Sequence, residues 1–199
     1  MKKSKLIFTF FLVFLCLSKG VVMSDLSGKK VIMIVASNGY RDEEFDVPKD
    51  AFIKENASVK VASSSLTPAK GVKGGSVKPN MLVKDINPDD FDAVVFVGGN
   101  GSTEYWNDKN ALELAKKTYE MKKVIAAICI APVVLANAGI LKDKKATVYP
   151  SEIAQIKQKG GIYQEKDGAV RDGNIITANG PQSAKNFALL ISQALSGKK

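Results

Sequence analysis

Three apolar runs rich in β-branched residues, Lys29 to Ser37, Phe91 to Val97 and Lys123 to Ile128, constrain the fold of this chain more than any other feature. Their cores do not alternate apolar with polar, so each reads as a strand buried on both faces, the habit of a parallel sheet. Helical spacing lies between them: one helix opens at Asp42-Glu43-Glu44 and runs to about Glu55, and another spans Asp108 to Met121. Ala57 to Ser63 reads as a further strand and Asn80 to Val83 as a short one, with a loop-rich stretch from Ser64 to Pro79 and a turn at Asn38-Gly39-Tyr40. Downstream, Lys145 to Tyr149 reads as a strand, and Ser151 caps a helix. Ile162 to Glu165 and Ala169 to Ile176 read as strands, the latter broken by a hairpin turn at Asp172-Gly173-Asn174. A last helix runs from Gly180-Pro181 to about Leu195. Strands alternating with helices predict an α/β sandwich, a mostly parallel central sheet covered on both faces.

The first twenty residues stand apart. Met1 to Lys5 is basic, Leu6 to Leu17 is unbroken apolar sequence, and Ser18-Lys19-Gly20 places small residues where a signal peptidase reads. This is the three-part pattern of a secretory signal, with an uncleaved membrane anchor as the competing reading. The expected organisation is a signal over 1–20, a short tail over 21–28 and a single domain over 29–199, exported to the periplasm or beyond. The formal charge is +9. Four of those charges, Lys2, Lys3, Lys5 and Lys19, leave with the signal, so the mature chain carries +5. The lysines are scattered, and Arg41 and Arg171 are the only arginines, which argues against a nucleic-acid partner and for a solvated basic surface.

Cys16 falls within the signal, so Cys129 is the mature chain's single cysteine, and the chain has no histidine. An exported chain with one thiol has no internal disulfide framework. A zinc or iron–sulfur site is excluded by the same inventory, and no cofactor is called for. Cys129 ends the run Val124 to Ile128 and precedes a helix-like stretch, Ile130 to Gly139. At such a junction free backbone N–H groups and the helix dipole favour the thiolate, which is how cysteine becomes a nucleophile. In α/β folds reactive groups gather at the carboxyl ends of strands. Here those ends are Ser37 to Glu44, Gly98 to Gly101 and Cys129, so a carboxylate, a glycine-rich loop and a thiol are expected to converge.

Four segments, in this order, carry a resemblance to a known family: Asp42-Glu-Glu-Phe-Asp-Val-Pro48, Phe96-Val-Gly-Gly-Asn100, Ala126-Ala-Ile-Cys-Ile-Ala-Pro-Val-Val-Leu-Ala136 and Ile175-Ile-Thr-Ala-Asn-Gly-Pro181. With these the chain resembles the ThiJ/PfpI superfamily over roughly Lys29 to Ser196. The resemblance implies a flavodoxin-like three-layer sandwich, a homodimer with the cysteine near its interface, and glyoxalase-, deglycase- or hydrolase-like action on a small-molecule substrate. Carried over by position, Cys129 is the nucleophile, Glu44 is the acid that hydrogen-bonds the thiol, and the Gly99 and Ile130 amides form an oxyanion pocket. Two departures matter. The protease branch has a histidine directly after the cysteine, where this chain has Ile130, and the deglycase branch has one before a downstream proline, where this chain has Tyr149 before Pro150. Without an imidazole in either protomer, a Cys–His peptidase is not expected.

Each residue has a plainer reading. A lone cysteine is often only a small buried apolar residue. Glu44 shares its segment with Asp42, Glu43 and Asp46, all of which suit a first helical turn. Gly98-Gly99 suits any strand-ending turn, and Tyr149 is expected to wall the site rather than donate protons. If Glu44 does stand beside the thiol, the two must share a proton, because adjacent negative charges repel. The expected activity is cysteine-dependent chemistry on small reactive carbonyl or acyl compounds. The alternative is a non-enzymatic oxidative-stress sensor that works through oxidation of Cys129.

Overall fold

The computed structural model describes residues 24–198; the expected signal over 1–20 and the start of the tail lie outside them. The chain forms β1 (Lys30–Ile34), β2 (Asn38–Tyr40), α1 (Asp42–Lys54), β3 (Ser58–Ser63), β4 (Ala69–Gly71), β5 (Ser76–Val77) and β6 (Met81–Leu82). It continues through β7 (Ala93–Phe96), α2 (Lys109–Glu120), β8 (Val124–Ile128), α3 (Pro132–Asn137), β9 (Lys145–Ala146) and α4 (Ile153–Gln158). It ends with β10 (Ile162–Tyr163), β11 (Ala169–Asp172), β12 (Ile175–Ala178) and α5 (Ala184–Leu195).

Seven strands make one sheet in the order β11-β12-β8-β7-β1-β3-β6, and only the β11–β12 hairpin is antiparallel. Side chains on a strand alternate between faces, so an unbroken apolar run feeds two cores at once. Val31 and Met33 join Val95, Ala126 and Ile176 beneath α1 and α5, where Phe52, Phe187 and Ile191 are wholly buried. Ile32 and Ile34 join Val94, Phe96 and Ile125 on the other face, against Leu114 and Leu135 of α2 and α3. Each of the valine, leucine, isoleucine, methionine and phenylalanine side chains contributes about 1.5–3 kcal/mol on burial. The result is the expected three-layer sandwich with a mostly parallel sheet.

Several local expectations are corrected. Asn38 to Tyr40 is not a free turn: it forms β2, which pairs with β4 in a small separate sheet with β5, inside the stretch read as loop. The strand expected over Lys145 to Tyr149 stops at Ala146 and pairs with β10 rather than with the main sheet. Ser151 does not cap α4. A 3-10 turn over Pro150–Glu152 intervenes, Glu152 holds the cap position, and the Ser151 hydroxyl donates to the Glu152 carboxylate. For β2 and β9 the pairing partner lies far away in sequence, where local pattern carries no information.

The strand order reverses between β1 and β7: the chain steps outward from β1 to β3, then returns to build β7, β8 and β12 on the other side. Such a reversal opens a crevice at the carboxyl ends of the two strands. The segments following β1, β7 and β8 all meet there.

Candidate active site

The turn after β8 is held in an unusual conformation. Cys129 has φ of 64°, a left-handed value that costs a non-glycine residue roughly 1–2 kcal/mol. Two backbone hydrogen bonds hold it: its N–H donates to the Ala178 carbonyl at 2.9 Å, and its carbonyl accepts from Tyr149 N at 2.8 Å. β12 and the segment before α4 therefore clamp the turn from both sides. The strained geometry lifts the thiol out of the strand line, and the N–H groups of Gly99 and Ile130 are directed at its sulfur. Ile130 is itself fixed, since its carbonyl accepts from the Trp106 indole at 3.2 Å.

Glu44 arrives from α1. Pro48, four residues on, lacks the N–H that would bond to the Glu44 carbonyl, a local weakness in a helix otherwise formed around Phe45 and Phe52. The Glu44 side chain is completely buried. Its carboxyl faces the Cys129 thiol and the Gly98 amide, yet neither oxygen closes a hydrogen bond of ordinary geometry. Gly98 is the residue that permits this approach. A Cβ there would run into Glu44 Oε2 and Cys129 Cβ and come within 2.6 Å of the Ile128 carbonyl. Gly99 has φ of 97°, and a side chain on it would strike the backbone of Gly39 and Arg41. The Arg41 N–H donates to the Gly98 carbonyl at 3.0 Å, tying the loop after β1 to the loop after β7.

Burial dominates the electrostatics. It raises the Glu44 carboxyl to about 7, opposed by the thiol, the Arg41 charge and the Gly98 amide. Burial also pushes the Cys129 thiol up to about 12, with the Glu44 carboxylate adding to the rise and the Gly99 and Ile130 amides pulling against it. The amides alone would favour the expected standing thiolate, and desolvation outweighs them. Below about pH 7 the pair holds two protons and above it one, which sits on sulfur where the Glu44 carboxylate is placed to take it.

Cys129, Glu44, Gly99, Ile130 and Tyr149 all line one cavity of about 520 Å³. The structure brings together every site residue picked from the sequence. Tyr149 stands half open at the rim, its ring 3.6 Å from where a Cβ on Gly180 would sit. Arg41, Asn100, Thr103, Trp106, Glu152 and Gln182 share the lining and were not identified as site residues from the sequence. Arg41 had a signal in being one of only two arginines, and Trp106 in being the single tryptophan. Asp42, next in line, turns away and anchors the loop beyond β4, accepting from Lys73 N at 2.8 Å and Gly75 N at 2.7 Å. Among the described residues no group of three or more cysteine, histidine or acidic side chains is placed to hold a metal ion.

A mostly parallel sandwich of this strand order, with a strained cysteine turn after β8 facing a buried glutamate, defines a class of α/β proteins. The model of the DJ-1/PfpI family matches residues 29–194, and the chain belongs to that family. An uncharacterised protein of Methanocaldococcus jannaschii is 43% identical over 174 residues, covering 86% of this chain and 84% of the relative. The PfpI deglycase of Pyrococcus furiosus is 31% identical over 150 residues, covering 75% and 90%. A glutathione-independent glyoxalase of Caenorhabditis elegans is 28% identical over 169 residues, covering 85% and 90%. Among solved structures, a ThiJ/PfpI domain protein from Brachyspira murdochii superposes with a TM-score of 0.83 at 31% identity, covering 86% of this chain and all of that one. The fold is thus flavodoxin-like.

Proposed function

We propose that this protein is an exported, cysteine-dependent enzyme acting on small reactive carbonyl compounds, with glyoxalase- or deglycase-like chemistry. The observation that carries the reading is a buried carboxyl raised to about 7 facing the only thiol of the mature chain, under two backbone amides. A general base is most effective with a pKa near the working pH, and Glu44 has one. As sulfur attacks a carbonyl carbon, the thiol proton passes to the Glu44 carboxylate, the S–C bond forms, and the π pair moves onto oxygen. The Gly99 and Ile130 amides hold that developing oxyanion, which then takes the proton back from Glu44 to give a hemithioacetal. With a 2-oxoaldehyde, Glu44 moves a proton from the former aldehyde carbon to its neighbour while the hydroxyl proton passes to the neighbouring oxygen, giving a thioester, and water releases a 2-hydroxy acid and the free thiol. No step requires an imidazole, in keeping with a chain that has none. The family relatives named deglycase and glyoxalase support this class of reaction.

The test is consumption of methylglyoxal by the mature protein and by Cys129→Ser. We expect turnover in the first and none above the uncatalysed rate in the second; equal rates refute the reading. A second reading, an oxidation sensor, draws on the unpartnered Glu44 oxygens, which in the protonated carboxyl supply a donor to a sulfinate. Stable sulfinate at Cys129 after mild peroxide, without turnover, supports it. Export rests on residues 1–20 and predicts a mature N-terminus near position 21, readable by intact-mass measurement. The homodimer rests on the family alone, and sedimentation tests it.

A further inference from the structure

The cavity wall beside the thiol carries an arginine to which the proposed chemistry gives no task. Arg41 holds the N-cap of α1, Glu44 lies three residues on, and both line the cavity. The guanidinium is close enough for its charge to act on Glu44. Glu43 accepts from its Nε at 2.8 Å and reaches Nη2 at 3.5 Å, occupying one edge of the fork. The same Glu43 carboxylate also pairs with Lys73 at 2.9 Å, so one negative charge is shared between two positive ones. Among the described residues the Arg41 side chain has no other acceptor, which leaves the Nη1 edge available for a ligand. Glu152, the other acidic group on the wall apart from Glu44, is engaged by the Ser151 hydroxyl at 2.8 Å and by the Gln155 amide. An open guanidinium edge is the protein group that best matches a carboxylate.

We propose that Arg41 makes this cavity selective for carbonyl compounds that carry a carboxylate beside the carbonyl, the 2-oxo acids, of which glyoxylate is the simplest. The carboxylate sits on the open edge of Arg41 and the aldehyde carbon lies over the Cys129 sulfur. Addition follows the balance already described: an S–C bond forms and the thiol proton reaches the former carbonyl oxygen through Glu44, with no further reagent. This inference rests on the proposed reading of the site and names the substrate group that the site prefers.

Trp106 lines the cavity and is the only tryptophan in the chain, so its fluorescence reports ligand entry independently of turnover. The experiment titrates the wild-type protein with glyoxylate and with glyoxal, which differ by a carboxylate in place of an aldehyde, and repeats this for Arg41→Gln and Arg41→Lys. Glyoxylate is expected to bind about tenfold more tightly than glyoxal or better. That ratio should fall to about one in Arg41→Gln and be partly kept in Arg41→Lys. Equal binding of the two compounds by the wild type overturns the proposal, and this comparison depends on no variant folding. A preference that survives in Arg41→Gln overturns it too. If the wild type turns over no carbonyl yet prefers glyoxylate through Arg41, the catalytic reading fails and this one stands. Methylglyoxal turnover without Arg41-dependent selectivity gives the reverse.

Discussion

Replacing Glu44 by glutamine keeps the volume and shape of the buried side chain but removes its proton. In the folded protein burial holds this carboxyl at about 7 against an ordinary value of 4.5. The folded state therefore binds the proton more tightly than the unfolded chain does. The stability that this contributes is fully present below the unfolded value, is lost as pH rises through about 7, and stays lost above. The gap between 4.5 and about 7 corresponds to about 3 kcal/mol. Urea unfolding of wild type and Glu44→Gln at about pH 4 and about pH 8 measures this quantity, because titrating groups that do not interact with Glu44 cancel in the difference. The wild type should lose about 3 kcal/mol more than the variant between the two conditions, so the variant gains relative stability as pH rises. If both proteins change by the same amount, the carboxyl is not desolvated and the proton-sharing pair does not exist.

The acid limb of kcat/KM for carbonyl consumption should fall near pH 7, with activity rising as Glu44 ionises; a limb near 4.5 argues against Glu44 as base. Glu44→Gln removes a charge that raises the thiol, so iodoacetamide should label Cys129 faster at about pH 8 in the variant than in wild type, while carbonyl turnover is lost. Gly98→Ala should destabilise the protein by about 1–3 kcal/mol in denaturant and abolish turnover, because its Cβ meets Glu44, Cys129 and the Ile128 carbonyl. Cys129→Gly should be at least as stable as Cys129→Ala by thermal unfolding, since glycine alone escapes the cost of φ at 64°.

The legible parts of this molecule are those whose cause is local. The runs through Val31, Val94 and Ile125 are apolar at successive positions because both sheet faces are covered, and the sequence shows that directly. The break at Gly173-Asn174 marks the β11–β12 hairpin because a tight turn there takes a glycine at φ of 62°. The cysteine at the end of β8, the glycines after β7 and the acidic start of α1 were also readable, because they occupy strand ends. By contrast, β2 reads as a turn because its partner lies far along the chain, Asn38 pairing with Lys70, and no pattern within Asn38 to Tyr40 records that pairing. Nothing local places Arg41 in the cavity lining; only the packing of the segment before α1 against the loop after β7 does so.

The thiol shows the division most sharply. Composition alone excludes an imidazole mechanism, because a residue type that is absent from the chain is absent from every arrangement of it. Position alone marks Cys129 as the junction residue. Its charge state was decided by packing: flanking amides are visible in a sequence, whereas desolvation depends on everything that folds over the sulfur. The two effects oppose each other, and burial beside Glu44 is the larger. Local sequence thus determined which groups are available and which strand ends present them, while the tertiary structure determined their separations, and through these their proton affinities.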